Sequence, residues 1–202
     1  MEQPFALTVF IIIHKFYKIN IMKNLLFVLI MLSFFVSCSK SQEESSVNWA
    51  SVQYFYSRGS LPPPYHYNFS ITVNNDGTSA LNYNLGYGEN PPLNYTFTVK
   101  PEDLKLLSNK INASPLASEK TESLSEKDNP VGGPTDYIRI IITNSNPDLD
   151  QPPKVIQSPV FPKEEFKKDL NDLYEFVKKL VPSDVWLDVN GKQTEYETNF
   201  KK

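Results

Sequence analysis

From residue 47 onward the apolar positions first recur every second residue and later every third or fourth. Residues 65–74 alternate cleanly: Tyr65, Tyr67, Phe69, Ile71 and Val73 share one side, and His66, Asn68, Ser70, Thr72 and Asn74 the other. Asn75-Asp76-Gly77 supplies residues that tolerate positive φ, so a tight hairpin turn is predicted there. The return strand alternates through Leu81, Tyr83 and Leu85. After the loop Gly86-Tyr87-Gly88-Glu89-Asn90-Pro91-Pro92 a further strand carries Leu93, Tyr95, Phe97 and Val99. Upstream, residues 51–57 are aromatic and β-prone, with imperfect alternation. Consecutive period-two segments punctuated by turn residues predict an antiparallel meander.

Pro101-Glu102-Asp103 then opens a helix, because proline suits the first turn and two carboxylates face the positive end of the dipole. Leu104, Leu107 and Ile111 give it one apolar stripe. Residues 114–134, rich in Ser, Glu and Gly, are expected to form a long mobile loop. Residues 137–143, YIRIIIT, are the most β-branched strand and are expected to lie centrally, followed by a strand over 154–160. Pro162-Lys163-Glu164-Glu165 repeats the helix start. Phe166, Leu170, Leu173, Tyr174, Val177, Leu180 and Val181 then fall at helical spacing. Pro182 ends this helix, and Val185-Trp186-Leu187 is expected to tuck back over the core. The order β-β-β-β-α-β-β-α predicts an α+β fold, a largely antiparallel sheet with two helices on one face. A single domain over 47–190 with a tail over 191–202 follows.

The start of the chain has a different character. Residues 22–38, MKNLLFVLIMLSFFVSC, run from a cationic Lys23 through an apolar stretch to a small residue, Ser37, and the only cysteine, Cys38. That is the outline of a secretory signal peptide. The apolar run is too short for a hydrocarbon core about 30 Å thick. Phe35-Val36-Ser37-Cys38 resembles the lipobox of bacterial lipoproteins, with Phe35 where leucine is usual. The resemblance implies diacylglycerol on the Cys38 sulfur, cleavage before it, and acylation of the new amino terminus. Two or more acyl chains suffice for stable anchoring. Residues 1–37 are therefore set aside as leader. Within them, a second apolar run at 5–13 is either a further hydrophobic arm or a sign that synthesis starts at Met22. Residues 38–46 form a polar, lipid-bearing tether; its Lys40, Glu43 and Glu44 are similar to a surface-export signal, though a solvated linker accounts for them more simply.

The order of elements, with its aromatic hairpins, GYGENPP-like loop, Val131-Gly132-Gly133-Pro134 turn and closing Leu180-Val181-Pro182-x-x-Val185-Trp186 segment, looks like small lipoprotein domains of Bacteroidota. That resemblance implies an address, a lipid-anchored protein of the cell envelope, in all expectation at the outer membrane. It implies no activity.

Charge and composition narrow the partners. From Cys38 onward seventeen basic residues face twenty-two acidic ones, net −5, which argues against nucleic acid and lends no polybasic help to membrane binding. A lone cysteine excludes disulfides within the chain and cysteine-based metal sites. Only one histidine, His66, follows the leader, on the polar side of a strand, so no zinc site or Cys–His pair can be assembled and an exposed strand histidine is expected. Glu102/Asp103 and Glu164/Glu165 complement helix dipoles, though acids from different elements could still meet as in glycosidases. Residues 144–150, NSNPDLD, space oxygen ligands as a calcium loop does but lack its central glycine and closing glutamate, so an Asx-rich turn is expected and no metal. Three sequons, at Asn68, Asn94 and Asn112, are expected to be chance matches, because the lipoprotein resemblance implies a bacterial chain. No cofactor is called for.

Aromatic residues are the one excess. Trp49, Tyr54, Tyr56, Tyr87 and His66 are surplus to the inner faces already supplied, and they either cover the second face of a small sheet or bind a ligand. Tyr87 in its glycine-flanked loop, with Arg58, His66 and Glu89, is the candidate contact. Two function classes follow: a non-enzymatic binding protein for a protein, peptide or glycan, or an extracytoplasmic hydrolase using Asp/Glu or His66. A purely structural envelope component is the third.

Overall fold

The computed structural model describes residues 48–88, 90–143 and 152–200. Cys38, Glu89 and the 144–150 loop lie outside the described residues. The elements are β1 (Trp49–Ser57), β2 (Tyr67–Asn74), β3 (Thr78–Leu85), β4 (Leu93–Thr98), α1 (Pro101–Ala113), β5 (Thr135–Ile142), β6 (Val155–Gln157), α2 (Glu164–Leu180) and α3 (Ser183–Asn199). The strands form one six-stranded antiparallel sheet in the order β4-β3-β2-β1-β5-β6. The fold is α+β, as the periodicity predicts. β5 lies inside the sheet, next to the middle strand β1, with only the three-residue β6 beyond it.

The meander β1 to β4 follows from its turns. Gly77 adopts φ of 89°, its N–H donates to the Asn74 carbonyl, and Asp76 accepts from the Thr78 amide and hydroxyl. Those Thr78 hydrogen bonds hold the Asp76 carboxyl below its ordinary value. A Cβ at residue 77 would stand 2.8 Å from the Val99 carbonyl, so the turn needs glycine for room as well as for φ.

Register divides the sheet into two faces. Val52, Tyr54 and Tyr56 stand opposite Val73, Ile71 and Phe69 on β2, which stand opposite Ser79, Leu81 and Tyr83 on β3. Ile138, Ile140 and Ile156 continue this inner face on the far side. α1 and α2 pack against it, contributing Leu107, Ile111, Leu170, Leu173, Tyr174 and Val177 to one continuous core. At the start of β1 the register shifts between Trp49 and Ser51, a bulge that swings Trp49 onto the inner side, where it is buried and its indole N–H donates to Ser108 at 3.0 Å. Trp49 and Tyr54, expected to be surplus, are therefore core residues; Tyr54 is wholly buried.

Two further expectations change. Residues 114–134 are tied down: Leu116 is fully buried, the Leu124 amide donates to the Phe161 carbonyl, and Ser123 bridges to Pro162. The segment after Pro182 is a third helix that runs through the expected tail to Asn199. Its buried positions are Val189 and Gln193, and Gly191 sits in its interior, so its sequence carries little amphipathic signal. Besides Val185, Trp186 and Val189 against the core, it is fastened by polar contacts. The Tyr83 hydroxyl donates to Gln193 Oε1, Gln193 Nε2 donates to the Pro64 carbonyl and to Glu197, and Tyr95 donates to Asp188 at 2.6 Å. Trp186 does tuck back, edge-on to Phe69 with its N–H on the Lys178 carbonyl. No helix among the described residues is long and apolar enough to cross a membrane.

Candidate binding face

With the helices on one side, the other face of the sheet stays open to solvent. Its rows are read from the strand register. Tyr137, Phe55, Ser70, Asn82 and Asn94 form one row from β5 to β4. Thr135, Ser57, Asn68 and Asn84 form the next toward the loop end. Gln157, Arg139, Gln53, Thr72, Ala80 and Thr96 lie on the opposite side. None of these residues is buried. Arg139 is the only charged side chain among the strand positions of this face, in a chain whose acids outnumber its bases.

Two rings stand out of this polar carpet. Phe55 and Tyr137 are paired across β1 and β5, stacked at 4.7 Å with an interplanar angle of 16°. The Arg139 guanidinium lies 5.5 Å from the Phe55 centroid and holds Gln157 Oε1 through Nε and Nη2, at 3.2 and 3.0 Å. Cation–π contact and the two hydrogen bonds fix the planar group beside the ring. Next to the rings the short side chains of Ser57 and Ser70 leave a depression of about 330 Å³, also lined by Asn68, Asn84 and Thr135. That is the lower end of the range of about 300–1,000 Å³ in which small-ligand sites fall.

An asparagine ladder crosses the face beside the rings. Asn84 Nδ2 donates to Asn68 Oδ1 at 2.8 Å, and Asn82 Nδ2 donates to Asn94 Oδ1 at 2.6 Å. Each amide has two N–H groups and an acceptor oxygen, so the ladder orients its members and leaves donor and acceptor capacity toward solvent. The chemistry on offer is ring stacking and neutral hydrogen bonding in both directions.

The residues singled out from the sequence are placed as follows. Arg58, His66 and Tyr87 converge at the loop end of the sheet, but as a brace. The His66 and Tyr87 rings stack at 3.9 Å and 4°. His66 Nδ1 donates to the Gly59 carbonyl at 2.7 Å, and the Tyr87 hydroxyl donates to the Leu61 carbonyl at 2.6 Å. Arg58 faces the Tyr67 ring rather than Tyr87. His66 is buried, not exposed: the Pro63–Tyr65 turn delays β2 to Tyr67, and the 59–61 loop and Tyr87 enclose the imidazole. Tyr87 alone keeps an exposed ring, 53% accessible.

Titratable groups on the inner face are also engaged. Tyr54 donates to Asp136 Oδ2 at 3.0 Å, and burial raises the Asp136 carboxyl against the pull of that hydrogen bond and of Lys178. Burial, then the Asp136 charge, pushes the Tyr54 phenol up. Tyr174, hydrogen bonded to Ser158 at 2.6 Å, is pushed up to about 12 by burial. Glu102/Asp103 and Glu164/Glu165 sit in the first turns of α1 and α2. Among the described residues no three His, Cys, Asp or Glu side chains are grouped to hold a metal ion.

Phe55 and Tyr137 were missed by sequence reasoning, yet both carry a signal. Phe55 is in phase with Ser51, Gln53 and Ser57, and Tyr137 with Thr135 and Arg139, so each is an aromatic in the polar register of its strand. No known family model matches the chain, and no curated protein is similar to it.

Proposed function

We propose that this protein is a lipid-anchored lipoprotein of the bacterial cell envelope that binds an extracytoplasmic ligand on the open face of its sheet. The observation that carries the binding half is the Phe55–Tyr137 pair, standing in the polar register beside a depression walled by Ser and Asn. Rigid aromatic anchors on sheet strands supply contact area at little entropic cost. The anchoring half rests on the lipobox-like Phe35-Val36-Ser37-Cys38 and the polar tether after it. The hydrolase alternative would draw on His66 or on paired carboxylates. His66 is already held between Gly59 and Tyr87, and each carboxylate pair serves a helix start.

The test has two arms. Cells fed labelled palmitate incorporate it into the wild-type protein, and Cys38→Ser loses both the label and the membrane fraction; unchanged labelling refutes the anchor. Immobilised protein is then exposed to solubilised envelope material, and the bound saccharide and peptide are assayed separately. Wild type retains material that Phe55→Ala/Tyr137→Ala does not. Equal retention by both refutes the binding face.

A further inference from the structure

We infer that the ligand of the open face is a neutral polysaccharide, lying across the strands with its sugar rings against Phe55 and Tyr137. This rests on the binding face proposed above and names its ligand. Charge decides first. The rows from Thr135 to Asn84, from Tyr137 to Asn94 and from Gln157 to Thr96 contain no carboxylate and one guanidinium, itself occupied by Gln157 and Phe55. A phosphate or uronate polymer needs clustered cations, which the face lacks. A basic partner needs acids, which are absent there too. An uncharged ligand is the complement.

The polar chemistry then separates sugar from peptide. Hydroxyl groups both donate and accept, and so do the Asn, Ser, Thr and Gln side chains that make up these rows. An extended peptide binds sheets through a free strand edge, with pockets for alternate side chains. β6 covers β5 only at Arg139–Ile141, but the depression is centred on β1 and β2, each paired on both sides along this stretch, so the backbone hydrogen bonds beneath it are already spent within the sheet. What it offers instead is ring surface and amides, the pairing that suits the apolar C–H face and the hydroxyl rim of a pyranose.

Extent agrees with a chain rather than a single sugar. From Tyr137 through Phe55, Ser70 and Asn82 to Asn94 the row crosses five strands, four steps of about 4.8 Å or roughly 19 Å in all. The rings stand at one end and the Asn82–Asn94 pair at the other. A short run of sugar units would touch stacking surface first and amide ladder after it.

The experiment is native affinity electrophoresis of the full chain in gels holding a β-1,3-glucan, a mixed-linkage β-glucan, an α-1,4-glucan or a galactomannan, with polygalacturonate as the acidic counterpart. At least one neutral polymer slows the wild type, and added salt leaves that retardation unchanged. Phe55→Ala or Tyr137→Ala weakens it more than tenfold, Asn68→Ala/Asn84→Ala about fivefold, and Phe55→Tyr preserves it. Each variant is checked for wild-type near-UV circular dichroism, which keeps a loss of binding distinct from a loss of fold. Salt-sensitive retardation by polygalacturonate alone overturns the neutral ligand. So does retention of envelope peptide, but no retardation by any neutral polymer, in a manner that Phe55→Ala abolishes; the binding face then stands with a different ligand. Retardation that survives Phe55→Ala/Tyr137→Ala overturns the face itself.

Discussion

Replacing Tyr54 with phenylalanine removes one oxygen from the centre of the core and leaves its packing in place. The Tyr54 ring is wholly buried, tilted against Phe69 and Tyr174, with centroids at 6.0 and 5.3 Å. Its hydroxyl donates to Asp136 Oδ2, so Tyr54→Phe strips a donor from a carboxylate that burial already disfavours. A hydrogen bond to a charged group contributes about 1.5–3 kcal/mol. Asp136 keeps partial access to solvent, which screens it, so the loss near neutral pH belongs in the lower half of that range, about 2 kcal/mol. The sign with pH follows from the direction of the Asp136 shift. Its folded pKa is raised, so its contribution to stability is fully present below the unfolded value of about 3.9 and is lost as pH rises through the folded value. Tyr54→Phe raises the folded value further, and its cost therefore grows with pH. At about pH 3.5 most of the carboxyl is protonated, the bond is between neutral groups, and the loss falls to about 1 kcal/mol. Urea unfolding followed by the fluorescence of Trp49 and Trp186 measures both, and Asp136→Asn supplies the control. In the Asn background Tyr54→Phe costs about 1 kcal/mol at either pH. An equal cost at both pH values in the wild-type background, or a pH dependence that survives Asp136→Asn, refutes the assignment of this pair.

Three further perturbations bear on the same architecture. Tyr54, Tyr83 and Tyr174 are all buried with phenols held above their ordinary value of about 10, so their stability contribution is present below that value and is lost as pH rises past it. Three protons at about 1.4 kcal/mol each per pH unit remove roughly 4 kcal/mol per unit, enough to unfold a domain of ordinary stability by about pH 12. Tyrosinate absorbance then rises together with loss of circular dichroism; a gradual rise from pH 10 with the fold intact refutes this. Gly59→Ala places a Cβ 2.1 Å from the Gly133 carbonyl oxygen at φ of 91° and lowers stability by about 3 kcal/mol, whereas Gly132→Ala, with open space around it, costs about 1 kcal/mol for its φ alone; equal shifts in melting temperature for the two refute the close approach. Gln193→Leu leaves the Tyr83 hydroxyl without its acceptor and costs about 1–3 kcal/mol by chemical denaturation, with α3 exchanging its amides faster than α2; uniform exchange in the two helices refutes the clamp.

The sheet was legible because its inner face obeys a simple rule. Phe69, Ile71 and Val73 alternate with polar residues, and Asn75-Asp76-Gly77 states its turn by chemistry. α2 was legible for the same reason: Leu170, Leu173, Tyr174 and Val177 are one stripe. α3 was not, because only Val185, Trp186 and Val189 mark its apolar side and much of what holds it is hydrogen bonding at long range. Gln193 is buried where a leucine would have announced a helix, and its partners, Tyr83 and the Pro64 carbonyl, lie far away in sequence. Trp49 was misplaced because one bulge reverses the parity of everything before it.

The candidate face was hidden by a different cause. Surplus aromatics can be counted in a sequence, but which of them are surplus depends on the register of every strand at once. Counting marked Trp49 and Tyr54, which the core consumes, and passed over Phe55 and Tyr137, which it does not. Phe55 lies between Tyr54 and Tyr56, so the run reads as one aromatic block until the strand divides it between two faces. The division has an energetic meaning. A phenylalanine left partly exposed forgoes part of the roughly 1.5–3 kcal/mol that full burial of such a side chain contributes. Serine at that position would match its row and relieve the exposure at no cost to the core. Phe55→Ser therefore costs only about 1–2 kcal/mol of unfolding free energy, the worth of its ring pair with Tyr137 and its contact with Arg139, while abolishing retention of ligand. A loss of several kcal/mol by urea denaturation would mean that Phe55 serves the fold, and the binding face would lose its central residue.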